Sequence, residues 1–368
     1  MMREVSGVCQ LVCVTVVLMV ISQGTARAEV GDGPIFIPAA ERVDAVFDTA
    51  RDRVYVSTSS GQVLRYNLQA GSFASAFNLG GSLRGMALSP DGQTLVVADS
   101  STQGTQNRIH AIDLTNDSVR QIAFNKGSYE SGTYSVAFAD ANTVLTTSRF
   151  SGSGGVPMRK VNLTTGTAVS IANVRQDTML AASADMSAVA YAQGNISSGP
   201  FGRYNTAAGT FEGSGTGWSA FEIGVSRNAS QFAVPSYSGM FVYDYDDGFN
   251  FREKIGVYAN NSPIGVVYSP TRDIMYTAWY DWDGSDDGIY AYNTNSLTRI
   301  ETIDPNVSLS WVGNHAFGQG RLRISDDGSI LLATVNGGVH AYAVPEPVSL
   351  LVLTLAVPII LKRKRKRS

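Results

Sequence analysis

The sequence predicts an all-β fold, a seven-bladed β-propeller whose N-terminal strand closes the last blade, flanked by an N-terminal signal peptide and a C-terminal transmembrane sorting helix. Three observations predict it. A strand–turn–strand unit recurs seven times, marked by Phe47, Leu88, Phe138, Ala182, Val225, Tyr268 and Ile324 at spacings of 41, 50, 44, 43, 43 and 56 residues. A period in the forties with that content is the mark of four-stranded blades arranged in a ring. Between the terminal segments lie about 310 residues, more than one ordinary core takes, so the apolar interior is divided among the repeats. Finally, the seventh unit is one strand short, and an apolar strand stands unused before the first.

The clearest unit runs Gly85-Met86-Ala87-Leu88, turns at Ser89-Pro90-Asp91-Gly92, and continues through Thr94-Leu95-Val96-Val97-Ala98. A third alternating strand follows at Arg108-Ile109-His110-Ala111-Ile112-Asp113-Leu114. The first unit repeats this from Ala45-Val46-Phe47-Asp48 to Leu64-Arg65-Tyr66-Asn67-Leu68, and the third from Ser135-Val136-Ala137-Phe138 to Arg159-Lys160-Val161-Asn162-Leu163. Weaker copies begin near Ala182, Val225, Tyr268 and Ile324. The units resemble YVTN and WD-repeat-like β-propellers over nearly all of residues 35–343. Their turns vary (Ser-Pro-Asp-Gly, Ser-Asp-Asp-Gly, Ser-Pro-Thr-Arg, Ser-Arg-Asn-Ala), and no Trp-Asp dipeptide closes a third strand, which sets the chain apart from the eukaryotic WD-repeat subtype.

The last unit reaches its third strand at Val339-His340-Ala341-Tyr342 and then meets Pro345-Glu346-Pro347. Pro34-Ile35-Phe36-Ile37-Pro38 is therefore expected to supply the fourth strand. Such a latch removes an open sheet edge.

Both ends carry addresses. Residues 1–28 read as a signal peptide: Arg3, an apolar run over 8–21, and Ala26-Arg27-Ala28 as an A-x-A site for signal peptidase before Glu29. Cys9 and Cys13 leave with it, and Gln10-Leu11-Val12 before Cys13 is no lipobox. The mature body, 29–343, then has no cysteine, which excludes disulfides, thiolate nucleophiles and cysteine-bound metal. Residues 344–368 are tripartite: Val344-Pro345-Glu346-Pro347, an apolar stretch over 348–361, and the basic stop Lys362-Arg363-Lys364-Arg365-Lys366-Arg367. Fourteen residues make about 21 Å of helix against a hydrocarbon core of roughly 30 Å, and Pro358 weakens it further. The six cations stay cytoplasmic and place the body outside. The bland alternatives are an ordinary anchor or a patch for acidic lipids. The three parts together resemble the PEP-CTERM tail. That resemblance implies transient membrane insertion, recognition by an exosortase, a membrane-embedded cysteine transpeptidase-like enzyme, and delivery to the cell surface or extracellular matrix of exopolysaccharide-producing bacteria.

The body has 20 Lys and Arg against 29 Asp and Glu, near −9, with only Lys126, Lys160 and Lys254 as lysines. Such a surface repels phosphate backbones, so nucleic acid is not an expected partner. No Gly-x-Ser-x-Gly elbow, His-Glu-x-x-His or phosphate-binding glycine loop appears. His110 and His340 hold a repeat position filled elsewhere by Leu64, Phe241 and Tyr290, which makes it a packing position. His315 lies in an insertion with Trp311 and Asn314.

One loop, Trp279-Tyr280-Asp281-Trp282-Asp283-Gly284-Ser285-Asp286-Asp287-Gly288, is a candidate ligand loop. Asp281, Asp283, Asp286 and Asp287 form a weak Ca²⁺ candidate, although the spacing fits no EF-hand. A solvated acidic hairpin is the simpler reading. Trp279 and Trp282 beside carboxylates also suit glycan contact. Strand alternation puts them on opposite faces, so some of these rings fill the core. Two functions follow as expectations. The first is a non-catalytic exported propeller that binds a polysaccharide or surface protein, with no cofactor beyond the possible Ca²⁺. The second is a lactonase-like hydrolase or lyase with its site at the central channel mouth.

Overall fold

The computed structural model describes residues 33–194, 196–217, 219–256, 261–281, 287–309 and 321–344. The signal segment, Trp282 to Asp286, His315 with its insertion, and everything after Val344 lie outside them. The regular elements described are all strands, in seven four-stranded antiparallel sheets. The first strands of the sheets are Arg42–Asp48, Leu83–Leu88, Glu130–Asp140, Met179–Ala182, Gly224–Val225, Asn261–Tyr268 and Leu322–Ile324. Each neighbours the first strand of the next sheet, and the seventh neighbours the first. The result is a closed ring of seven blades, each marker residue on the innermost strand of its blade.

Blade 7 is closed as the strand count requires. Ile35–Pro38 pairs antiparallel with Gly338–Ala343, in the register Ile35 to Ala341, Phe36 to His340, Ile37 to Val339 and Pro38 to Gly338. The sheet then runs through Ile330–Val335 to Leu322–Ile324. One blade thus joins the first and last described strands.

The sequence reads as strands for different reasons at different depths. Second strands such as Ile330–Val335 are buried along their whole length, which gives unbroken apolar runs rather than alternation. Fourth strands such as Ser72–Asn78 are mostly exposed and mix polar with apolar residues. Seven apolar clusters lie between successive blades, one at each interface. The interior is therefore distributed around the ring.

A serine sets the turn between first and second strands. In blade 2 the Thr94 N–H donates to Ser89 Oγ (2.8 Å), Ser89 Oγ donates to Asp91 (2.5 Å), and the Gly92 N–H donates to the Ser89 carbonyl (2.8 Å). Ser183, Ser226 and Ser325 repeat the arrangement in blades 4, 5 and 7. The residue three places after each serine has positive φ: Gly92, Met186, Ala229 and Gly328. Glycine takes that conformation freely; Met186 and Ala229 hold it under strain because the serine and carboxylate or amide bonds close the turn around them.

Candidate functional site

The ring has two faces. The lower carries the turns after first and third strands; the upper carries the hairpins between second and third strands and the connections between blades. Because the first strands run from upper to lower face, side chains along them line the axis in tiers.

Just before each marker stand Val46, Ala87, Ala137, Ala181, Gly224, Val267 and Arg323, six small apolar residues and one cation. With their neighbours they wall a cavity of about 360 Å³ that opens on the lower face. Above it, three residues before a marker, come Asp44, Glu222 and Arg321. Arg323 reaches across: Nη2 lies 3.1 Å from Asp44 Oδ2 and Nη1 3.1 Å from Glu222 Oε1. Asp44 also accepts the Met86 N–H at 2.9 Å, and Glu222 the Val266 N–H at 3.4 Å. The group ties blades 1, 2, 5, 6 and 7 across the axis. Gly265 fits among these groups because a Cβ there would stand 2.8 Å from Arg321 Cβ and 3.3 Å from Glu222.

Burial pushes the Glu222 carboxyl up to about 7, with Arg323 pulling it down and Asp44 pushing it higher. Burial also lowers Arg321, to about 10, against the pull of Glu222. For Arg323 burial works the same way, but Asp44 and Glu222 outweigh it and hold the guanidinium above its ordinary value. These residues are far apart in sequence. Asp44, Glu222 and Arg321 share one signal, a charge at a repeat position otherwise held by Gly85, Ser135, Met179 or Gly265, and Arg323 is a charge where the other blades carry Val, Ala or Gly.

Upper-face loops of blades 3 to 5 each expose an apolar or aromatic side chain. Tyr129, at the entry to blade 3, is 70% exposed and stands 5.6 Å from the Phe150 ring. Its backbone has φ 64°, held by the Ser151 N–H donating to the Tyr129 carbonyl at 2.6 Å. Ile196 and Tyr237 follow in the hairpins of blades 4 and 5. Nothing local in the sequence distinguishes Tyr129 from a core ring.

The candidate ligand loop is the corresponding hairpin of blade 6, and its described residues change its reading. Trp279 is fully buried, its indole N–H donating to Thr277 Oγ1 at 2.8 Å and its ring 6.0 Å from Tyr290. This ring packs the blade 5–6 interface and offers no surface to a glycan, which corrects its candidacy. Asp281 is buried. Asp287 accepts the Asp281 N–H at 2.7 Å and the Leu309 N–H at 2.6 Å, so its carboxylate pins the loop base to the next connection. Trp282, Asp283 and Asp286 lie outside the described residues, as do Ala26, Ala28, Glu29, Pro345 to Pro347 and Lys362 to Arg367. Among the described residues no three His, Cys, Asp or Glu side chains gather as a metal site, and no helix is long and apolar enough to cross a membrane.

Both described histidines are buried with partners. His110 Nε2 is 3.2 Å from Asp99 Oδ2, which also takes Arg108 Nε at 2.6 Å. Burial opposes the charge on Asp99, but hydrogen bonds from His110, Ser101 and Arg108 hold it well below the carboxylate range. His340 Nδ1 is 3.1 Å from the Tyr342 hydroxyl, its ring is edge-on to Phe36 at 5.5 Å, and burial lowers its pKa. Between blades 5 and 6 the lower face has a polar cleft of about 280 Å³, where Arg227 and Arg252 are paired with Asp273 and Asp244.

No family model matches the chain, and no curated protein does. Among solved structures it is similar to the β-propeller domain of Cps50 (Swd1) from Myceliophteria thermophila. The TM-score is 0.60 at 12% identity, covering 84% of this chain and 99% of that one. At that identity the likeness shows the β-propeller fold and nothing narrower, and the count of seven blades comes from this chain's own sheets.

Proposed function

We propose that the chain is an exported binding propeller. Residues 1–28 carry it out, 344–368 hold and sort it at the envelope through an exosortase-type enzyme, and the ring then grips an extracellular polysaccharide or surface protein with its upper face. The observation that best supports binding is Tyr129, an exposed aromatic held in a strained backbone and backed by Phe150. Strain of this kind costs of order 1–3 kcal/mol and persists where the surroundings enforce it, often at a ligand clamp. The axial carboxylates, by contrast, are engaged in tying blades together.

Fractionated cells and medium give the first test, through the intact mass of the protein; a mass ending at Ser368 counts against sorting. Retention of the protein on the host exopolysaccharide, with and without Ca²⁺, gives the second. Tyr129→Ala is expected to weaken retention about tenfold, or about 1.4 kcal/mol; unchanged retention removes the upper face from the function.

One observation favours the hydrolase or lyase reading: Glu222, pushed up to about 7, is in the range suited to general acid–base work. Its carboxylate lies behind Arg323 rather than in the cavity wall. Turnover of a lactone or glycan that Glu222→Gln abolishes would establish that reading instead.

A further inference from the structure

We propose that the lower-face funnel is a binding site for a small amphiphile, an apolar chain or ring ending in a carboxylate that Arg323 receives. This goes beyond the upper-face reading and stands independently of it, on the opposite side of the ring. Small-molecule sites are concave, about 300–1,000 Å³, mostly apolar, and fixed by a few placed polar groups. At about 360 Å³ the funnel falls within that range. It equals the liquid volume of about a dozen waters, and so suits a molecule of about that many heavy atoms.

The wall chemistry selects the ligand. Six of the seven residues in the tier before the markers are Val, Ala or Gly, and they provide no hydrogen-bonding side chain. The seventh, Arg323, has a side chain 22% exposed, whereas those of its acidic partners Asp44 and Glu222 are 0% and 4% exposed. Past Arg227 and Asp326, which also line the cavity, a ligand therefore meets the Arg323 guanidinium and not the carboxylates of Asp44 and Glu222. Two of its nitrogens are held by those acids, and Nε has no acceptor among the described residues. Its fork is thus locked in place before a ligand arrives, with a donor left to give. An ammonium in the same position would meet the cation with both acids hidden.

Octanoate, octanol and octylamine separate these contributions, titrated by calorimetry into the full chain in lipid nanodiscs, with empty nanodiscs as the blank. Octanoate is expected to bind saturably at one site, at least tenfold more tightly than octylamine. Arg323→Gln is expected to cut octanoate affinity at least tenfold while leaving octanol unchanged. Val267→Trp, which fills the funnel from another blade, is expected to abolish both. Arg323 also ties blades together, so thermal melts accompany each variant. If Arg323→Gln does not fold, the preference of the unmodified protein for octanoate over octylamine and the Val267→Trp result decide. Octylamine binding as tightly as octanoate, octanoate indifferent to the loss of Arg323 in a folded variant, or no saturable octanoate binding above the blank overturns the proposal.

Discussion

Ring closure rests on one short strand, and Ile37→Ala measures what that strand contributes. Ile37 is 0% exposed, paired with Val339, and packed in the cluster that joins blades 7 and 1. The substitution removes three carbons, about 2.4 kcal/mol of transfer free energy at about 0.8 per carbon. The surrounding strands are fixed by their ladders and collapse incompletely, so a cavity adds to this. The expected loss is about 3–4 kcal/mol, within the usual range for such truncations. Phe36 is the internal control. It lies on the same strand but is 46% exposed, so Phe36→Ala forfeits about half of a ring's burial, about 1 kcal/mol. Urea unfolding followed by tryptophan fluorescence reads both, the midpoint giving stability and the slope the surface exposed. Ile37→Ala is also expected to aggregate earlier, because loosening the strand bares the edge of Gly338–Ala343. If it costs less than about 1 kcal/mol, or no more than Phe36→Ala, the latch is not part of the cooperative unit and the reasoning fails.

Two further predictions concern pH and have opposite signs. With Glu222 raised to about 7 from an ordinary 4.5, the folded state keeps a proton that the unfolded chain has lost between those values. Stability from this group therefore falls as pH rises from about 4.5 to about 7, by about 3 kcal/mol in all, and Glu222→Gln should flatten that slope in denaturation series. His340 is lowered by burial, so its folded form resists the proton that the unfolded chain accepts below about 6.5. Its contribution is complete above that pH and is lost as pH falls, and His340→Phe should remove the acid-side loss; an unchanged acid limb would refute the assignment.

The markers Leu88, Ala182, Val225 and Ile324 could be read because each precedes a turn whose chemistry is local: a serine, a carboxylate or amide two residues on, and a residue able to take positive φ. Closure was equally legible, since a blade one strand short and a spare apolar strand at the other terminus have one economical solution. The axial ions were not. Arg323 is 279 residues from Asp44 and 101 from Glu222 in sequence, and each reads alone as an ordinary solvated charge. Trp279 was ambiguous for another reason. Alternation separates the two faces of a strand but does not say which is wet, and in Ile274–Asp281 both faces pack against neighbouring blades.

Topology also gives the ring a polarity that bears on both proposals. First and third strands run from upper to lower face, so the end of Gly338–Ala343 lies on the lower one. There the Val344 N–H donates to the Ser329 carbonyl, in the turn that follows the first strand of blade 7. Ile35–Pro38 runs the opposite way and so enters from the lower face too. A tether drawn from Val344 into a membrane would turn the funnel toward the bilayer and Tyr129, Ile196 and Tyr237 away from it. On the proposed function, binding of a large extracellular partner would then fall to the upper face, the side that such a tether would leave open. A small amphiphile belongs to the lower, where it has only to leave the lipid surface to reach Arg323.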